Sequence, residues 1–251
     1  MSSNTSGRAT RSARVAAALA ALVLIASEST RASSSHAVTF RTDDGVTIAG
    51  TLYESPQRPA PAVILLHMLT RSREDWQAVA DRLADAGISA LAIDFRGHGQ
   101  STRGPAGPDG EPDLARMTLD VQAARAYLAS HPDLVKLANI GIAGASIGAN
   151  VAILEAAGDP AIKSLALLSP GLNYRALRAE TAMQKYSPRP VLFVAGTNDP
   201  YASRSVKQLS TLGAGLREIK TLENAGHGTT MLARYPDLVR MLVDWFERTL
   251  L

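Results

Sequence analysis

Cysteine is missing from this 251-residue chain. Its absence rules out a disulfide framework, thiolate metal ligands and a cysteine nucleophile. Long basic runs are missing from most of the chain as well. The net charge is +3 and the isoelectric point about 9.3, values that suggest a nucleic-acid surface until their origin is traced. Residues 1–32 hold Arg8, Arg11, Arg14 and Arg31 against one acid, Glu28. Taking these from the totals of 26 basic and 23 acidic residues leaves 22 of each sign for 33–251. The basic excess therefore belongs to the leader, and no nucleic-acid partner is expected. There is no repeat at a solenoid or propeller period. What remains is an ordinary globular balance, 46% hydrophobic and 20% charged, suited to one large domain over 33–251.

The leader carries a pattern of its own. Arg8, Arg11 and Arg14 precede an uncharged apolar run, Val15 to Ala26, and small and polar residues follow. That is the order of a secretory signal peptide. The run is shorter than the roughly 20 residues a membrane-spanning helix needs. Export, periplasmic or extracellular, is the expectation, with cleavage near Ser27 or after Ala32. If uncleaved, 15–26 would serve as an anchor, the one route to a membrane partner. The competing reading is an amphipathic or disordered tail. Ser-rich 28–36 reads as a linker.

From residue 37 the pattern is that of an α/β domain. AVTFRTDDGVTIAGTLY holds two β-rich runs around Asp43-Asp44-Gly45, as in a strand pair with an Asp-Gly turn. AVILLH, ISALAID, NIGIAGA, KSLALLS and PVLFVAG are short continuous apolar runs, as expected for strands buried on both faces, and LREIKTLE is a weaker one. Helical spacing falls between them, over 72–86, 118–129, 147–157, 202–212 and 231–250. In the first of these, Trp76, Val79, Leu83 and Ala84 share one face. This alternation implies a mostly parallel eight-stranded sheet with an antiparallel N-terminal edge and helices on both faces. Ligands on such sheets bind beyond the carboxyl ends of the strands.

Chemistry appears where those strands stop. Gly144-Ala145-Ser146-Ile147-Gly148 fits G-x-S-x-G between a strand and a helix, the context of a nucleophile elbow. The helix start aims N–H groups and a partial positive charge at the site. A phosphate-cradling turn is the competing reading, but neither G-x-G-x-x-G nor G-x-x-x-x-G-K-[ST] is present. Serine needs a base. Of the five histidines, His36, His67, His98, His131 and His227, one follows Ser146, as the chain order Ser, acid, His requires. That is His227, in Asn224-Ala225-Gly226-His227-Gly228. Among the acids between them, Asp199 comes just after PVLFVAG, in Gly196-Thr197-Asn198-Asp199-Pro200, and Glu223 is the fallback. A carboxylate there would hold the imidazole tautomer. The N–H of Ile147 is one expected oxyanion donor, and the second should come from the loop His67-Met68-Leu69-Thr70.

Together, DGVTIAGTLY, VILLHML, IDFRGHGQS, GASIG, GTNDP and NAGHG resemble the α/β-hydrolase superfamily from about residue 38 to the end. The resemblance is to lidless esterases and to dienelactone-hydrolase-like or serine-aminopeptidase-like members. It implies the α/β-hydrolase fold, with the triad on Ser146, Asp199 and His227. It also implies that Leu69 supplies the second oxyanion N–H, although Met68 stands where the family's His-Gly-x has glycine. His98, in DFRGHGQS, reads as structural, and His67 as near the site without being a base.

Neither H-E-x-x-H nor a comparable metal spacing occurs, so no metal or cofactor is expected. About 20 residues, Pro170 to Arg189, separate KSLALLS from PVLFVAG, which leaves no room for a large lid. Met68, Leu172, Tyr174 and Tyr201 are candidates for the pocket, and the polar loop Thr102 to Pro112 for one wall. The expected activity is hydrolysis of a small carboxylic ester or other acyl substrate by a Ser-His-Asp acyl-enzyme route. Peptide, amide or carbon–carbon bond cleavage on the same triad is an alternative, as is a catalytically silent binding protein.

Overall fold

The computed structural model describes residues 1–2, 33–105, 113–174 and 177–251. The body of the expected leader, 3–32, and the far part of the polar loop, 106–112, lie outside the described residues. The architecture is that of the compact unit Arg31–Leu251.

Strands and helices alternate. They run β1 (Ser34–Arg41), β2 (Thr47–Glu54), β3 (Ala60–Leu66), α1 (Gln77–Asp85), β4 (Ser89–Ile93), α2 (Met117–Ala129), β5 (Val135–Ala145) and α3 (Ile147–Gly158). Then come β6 (Ile162–Leu168), the short strands β7 (Asn173–Tyr174) and β8 (Leu177–Arg178), α4 (Ala179–Tyr186), β9 (Val191–Gly196), α5 (Pro200–Leu209), β10 (Arg217–Leu222), α6 (Thr230–Arg234) and α7 (Asp237–Leu250). Eight strands form one sheet in the order β1-β2-β4-β3-β5-β6-β9-β10, and β7 and β8 form a separate ribbon. Only the β1–β2 and β2–β4 pairings in the large sheet are antiparallel. The expected sheet, with its antiparallel N-terminal edge, is therefore present.

The continuous apolar runs follow from two covered faces. All seven residues of β3 are buried. Ile64 and Leu66 enter one core cluster with α2, α3 and α4, while Val63 and Leu65 enter the other with α1 and α7. Alternate side chains of a strand point to opposite faces, so a strand between two helical layers must be apolar at every position. Each such side chain contributes about 1.5–3 kcal/mol by leaving water. The face of α1 built from Val79, Leu83 and Ala84 is buried as expected, with Trp76 in the preceding 3₁₀ turn (Arg73–Trp76).

Three sequence expectations need correction. The linker read over 28–36 gives way to strand at Ser34, because β1 pairs with β2 from Ser34↔Glu54 onward. Backbone pairing does not require apolar side chains. The last helix is two helices, α6 and α7, since Pro236 lacks an N–H and its ring pushes Tyr235 out of helical geometry, to φ −128°. The helix expected to begin at Ala202 begins two residues earlier, with Pro200 at its first position and Asp199 as its cap. Among the described residues, the ribbon and α4 are the elements between β6 and β9, in keeping with the absence of a large lid. Among the described residues no helix is long and apolar enough to cross a membrane.

The turn after β4 is fixed by buried charge. Asp94 accepts from the Arg73 N–H at 2.8 Å and the Gln100 N–H at 2.9 Å, and pairs with the Arg73 guanidinium. Arg96 bridges buried Asp120 and Asp44, with N–O distances of 2.7 and 2.8 Å. His98 bonds locally, its Nδ1 lying 3.1 Å from the Arg96 carbonyl, which suits the structural role read for it.

Candidate active site

Ser146 sits at the carboxyl end of β5, immediately before α3, with φ +52° and ψ −115°. Such backbone is sterically unfavourable for a residue with a side chain. It is held by a hydrogen bond from the Ser146 N–H to the Leu168 carbonyl, 2.8 Å long. The flanking glycines make the turn possible. A Cβ on Gly144 would lie 2.3 Å from the Gly148 carbonyl oxygen, and one on Gly148 would lie 2.5 Å from that of Leu66. Strand and helix approach closely because both positions lack side chains.

Three loops from separate strand ends meet at this serine. His227, in the loop after β10, places Nε2 2.8 Å from Ser146 Oγ and Nδ1 2.5 Å from Asp199 Oδ2. An ionised carboxylate only accepts, so Nδ1 carries the proton and Nε2 presents its lone pair to the serine hydroxyl. The other Asp199 oxygen accepts from the Ala202 N–H at 3.2 Å, capping α5. One carboxylate thus starts a helix and orients an imidazole. Glu223, the fallback acid, is exposed, and its backbone carbonyl accepts from the Tyr235 hydroxyl. The histidine loop is tied down by Asn224 N–H to Thr197 Oγ1, Gly226 N–H to Asn198 Oδ1 and Gly228 N–H to Ser169 Oγ.

The third loop follows β3. His67 is fully buried, its Nε2 accepting from the Phe95 N–H at 3.0 Å and its Nδ1 donating to the Met68 carbonyl at 2.7 Å. Burial drives its pKa down to about 4. The ring is therefore neutral at ordinary pH, and both of its nitrogens bond to backbone atoms of Met68 and Phe95. The Arg71 N–H closes a turn on the same Met68 carbonyl, with Thr70 at φ +62°. In a trans peptide the C=O and the following N–H point in opposite directions. With the Met68 oxygen turned to the buried ring, the Leu69 N–H faces away from it. The start of α3 leaves the Ile147 N–H without an intrahelical acceptor.

A cavity of about 260 Å³ opens beside the serine, lined by Met68, Leu69, Ser146, Ile147, Asn150, Ser169, Gly171, Tyr174, Tyr201 and His227. Met68, Tyr174 and Tyr201 stand where the sequence reading put them. Leu172 does not line it. Its side chain packs against the core cluster of α2, α3 and α4, and its carbonyl accepts from the Ala179 N–H at the start of α4. Nor do 102–105 line the cavity, since Thr102 bonds to Thr47 at the N-terminal hairpin. Sequence reasoning missed Asn150, Ser169 and Gly171. Asn150 carried a usable signal, being one helical turn after Ser146. It clamps the Gly171 backbone, accepting from its N–H at 2.9 Å and donating to its carbonyl at 2.8 Å.

The family model for serine aminopeptidases of the S33 family matches residues 57–189, which run from before β3 through the elbow to α4. The chain belongs to this S33 family of α/β hydrolases. This S33 member is 31% identical over 198 residues to the 2-succinyl-6-hydroxy-2,4-cyclohexadiene-1-carboxylate synthase of Salmonella heidelberg, covering 73% of each chain. It is 32% identical over 142 residues to the polyketide transferase ATR5 of Stachybotrys chlorohalonatus. That match covers 55% of the S33 chain and spans less than half, 45%, of the transferase. Its fold is shared with the esterase Pf2001 of Pyrococcus furiosus, at a TM-score of 0.67 and 20% identity over 87% of this chain and 94% of that one.

Proposed function

We propose that this S33 member is a serine hydrolase that cleaves small, uncharged carboxylic esters through an acyl-enzyme. The observation that carries the reading is the continuous relay Asp199–His227–Ser146, with contacts of 2.5 and 2.8 Å, at a strained elbow facing a cavity. Ser146 Oγ attacks the ester carbonyl carbon while His227 Nε2 takes its proton. The Asp199 carboxylate holds Nδ1–H and stabilises the imidazolium. The developing oxyanion accepts from the N–H groups of Ile147 and Leu69. His227 then returns the proton to the departing alkoxide, and water repeats the sequence to release the acid.

The lining of the cavity supports an uncharged substrate. Among the described residues that line it, His227 is the one titratable base and none is Asp, Glu, Lys or Arg. A free α-ammonium or a second carboxylate would find no partner among those described residues and would lose its hydration. An ester with an uncharged acyl group is accordingly preferred over an aminopeptidase substrate. Export is part of the same proposal, resting on the charged-then-apolar order of Arg8 to Ala26.

The test is fluorophosphonate labelling of the full chain beside hydrolysis of methyl acetate and of peptides. Labelling and ester turnover that vanish in Ser146→Ala are expected, the loss being about 10⁴–10⁶-fold in kcat. A folded wild-type chain that neither reacts nor turns over esters would favour a binding protein.

A further inference from the structure

Met68 is the side chain of the oxyanion loop that reaches across to the base loop. A Cβ on Gly228 would lie 2.6 Å from Met68 Sδ, so the thioether is seated on the residue directly after His227. The same side chain lines the cavity with Ser146 and His227. We propose that Met68 sets the size limit for the alcohol leaving group, admitting small alcohols and excluding bulky ones. This rests on Ser146 being the nucleophile and His227 the base.

The reason is the path of the proton. On collapse of the tetrahedral intermediate the carbon–oxygen bond to the alcohol breaks, and His227 Nε2 gives its proton to the departing oxygen. The alcohol must therefore leave beside His227, where Met68 stands over Gly228. The acyl group takes the remaining space, toward Gly171 and Tyr201. That end is built separately, since the Tyr201 ring lies 3.0 Å from where a Gly171 Cβ would be and its hydroxyl donates to the Asn173 carbonyl at 2.9 Å.

The obstruction is fixed rather than a flap. The two loops are clasped a few residues from the contact, where the Thr229 hydroxyl donates to the Asp75 carboxylate. Asp75 is held in turn by Arg71, with Nε–Oδ2 at 2.8 Å. Gly228 is anchored from the other side by its N–H bond to Ser169 Oγ, 3.0 Å. Spreading the loops to admit a large alcohol would break these contacts. Shortening residue 68 would not.

The experiment uses the full chain and two ester series followed by acid release. Methyl and benzyl acetate vary the alcohol, and methyl acetate and methyl hexanoate vary the acyl group. In Met68→Ala the benzyl-to-methyl ratio of kcat/KM is expected to rise about tenfold, the scale of a few atoms of pocket space. The hexanoate-to-acetate ratio should stay at its wild-type value. If Met68→Ala does not fold, Met68→Val, which ends at the γ carbons and so removes the atom over Gly228 while keeping part of the packing, should raise the alcohol ratio about threefold. An unchanged alcohol ratio in a variant whose Ser146 still takes fluorophosphonate overturns the proposal, as does a change confined to the acyl series. Failure of wild-type Ser146 to label would instead overturn the hydrolase reading, and this inference with it.

Discussion

His67 donates from Nδ1 to the carbonyl of Met68, the next residue in the chain, at 2.7 Å. The same ring accepts from the Phe95 N–H at 3.0 Å, so both nitrogens are committed and the ring cannot rotate without losing a bond. A buried histidine outside the relay thereby fixes the orientation of the Met68–Leu69 peptide, whose N–H is one of the proposed oxyanion donors. His67→Phe keeps a planar ring but removes the donor. The expected result is a kcat for methyl acetate lower by about 10–100-fold, less than outright loss of a donor. KM should be nearly unchanged, because the donor acts on charge that develops in the transition state. An equal rise in KM would assign the ring to packing alone.

The same histidine makes stability depend on pH. Burial holds its folded pKa at about 4, below the 6.5 of an exposed imidazole. Between those values the unfolded chain binds the proton and the folded chain does not. Stability from the neutral ring is therefore fully present above about pH 6.5 and is lost as pH falls toward 4. The full effect is about 3 kcal/mol, at 1.36 kcal/mol per pKa unit. Urea midpoints for wild type and His67→Phe at pH 7.5 and pH 5 test this. The wild type should lose more stability between the two than the variant, and parallel losses would count against the buried neutral ring.

Asp199 holds two positions with one carboxylate, and two substitutions separate them. Asn in its place retains an oxygen for the Ala202 N–H but carries no charge, so it can favour the wrong imidazole tautomer. Asp199→Asn is expected to unfold near the wild-type temperature while kcat drops about 10⁴-fold. Asp199→Ala loses the cap as well and should be less stable by about 1 kcal/mol. Calorimetry beside ester turnover makes the comparison. Equal melting temperatures for the two variants would remove the capping role.

Most of the fold was legible because both rules behind it are local. Covered strands must be apolar at every position, which marked β3, β4, β5, β6 and β9 in advance. The elbow, Asp199 and His227 were legible because strand ends are where an α/β sheet places its chemistry. The misreadings came from the limits of locality. Residues 34–36 look like a linker, and they become strand only because β2 offers a partner. Leu172 is apolar and close to the site in sequence, yet its side chain turns to the core.

The sequence by itself determined the alternation of strands and helices, the order of serine, acid and histidine, and the lack of room for a large lid. These follow from periodicity, chain order and segment length. Only the tertiary structure decided that one Asp199 oxygen caps α5 while the other meets His227. It alone joined Met68 to Gly228 and Asp75 to Thr229, pairs about 160 and 154 residues apart. It alone put Asn150, Ser169 and Gly171 around the cavity. Contacts across such separations depend on which strands lie side by side and where each loop leaves the sheet, and no local pattern of residues encodes that.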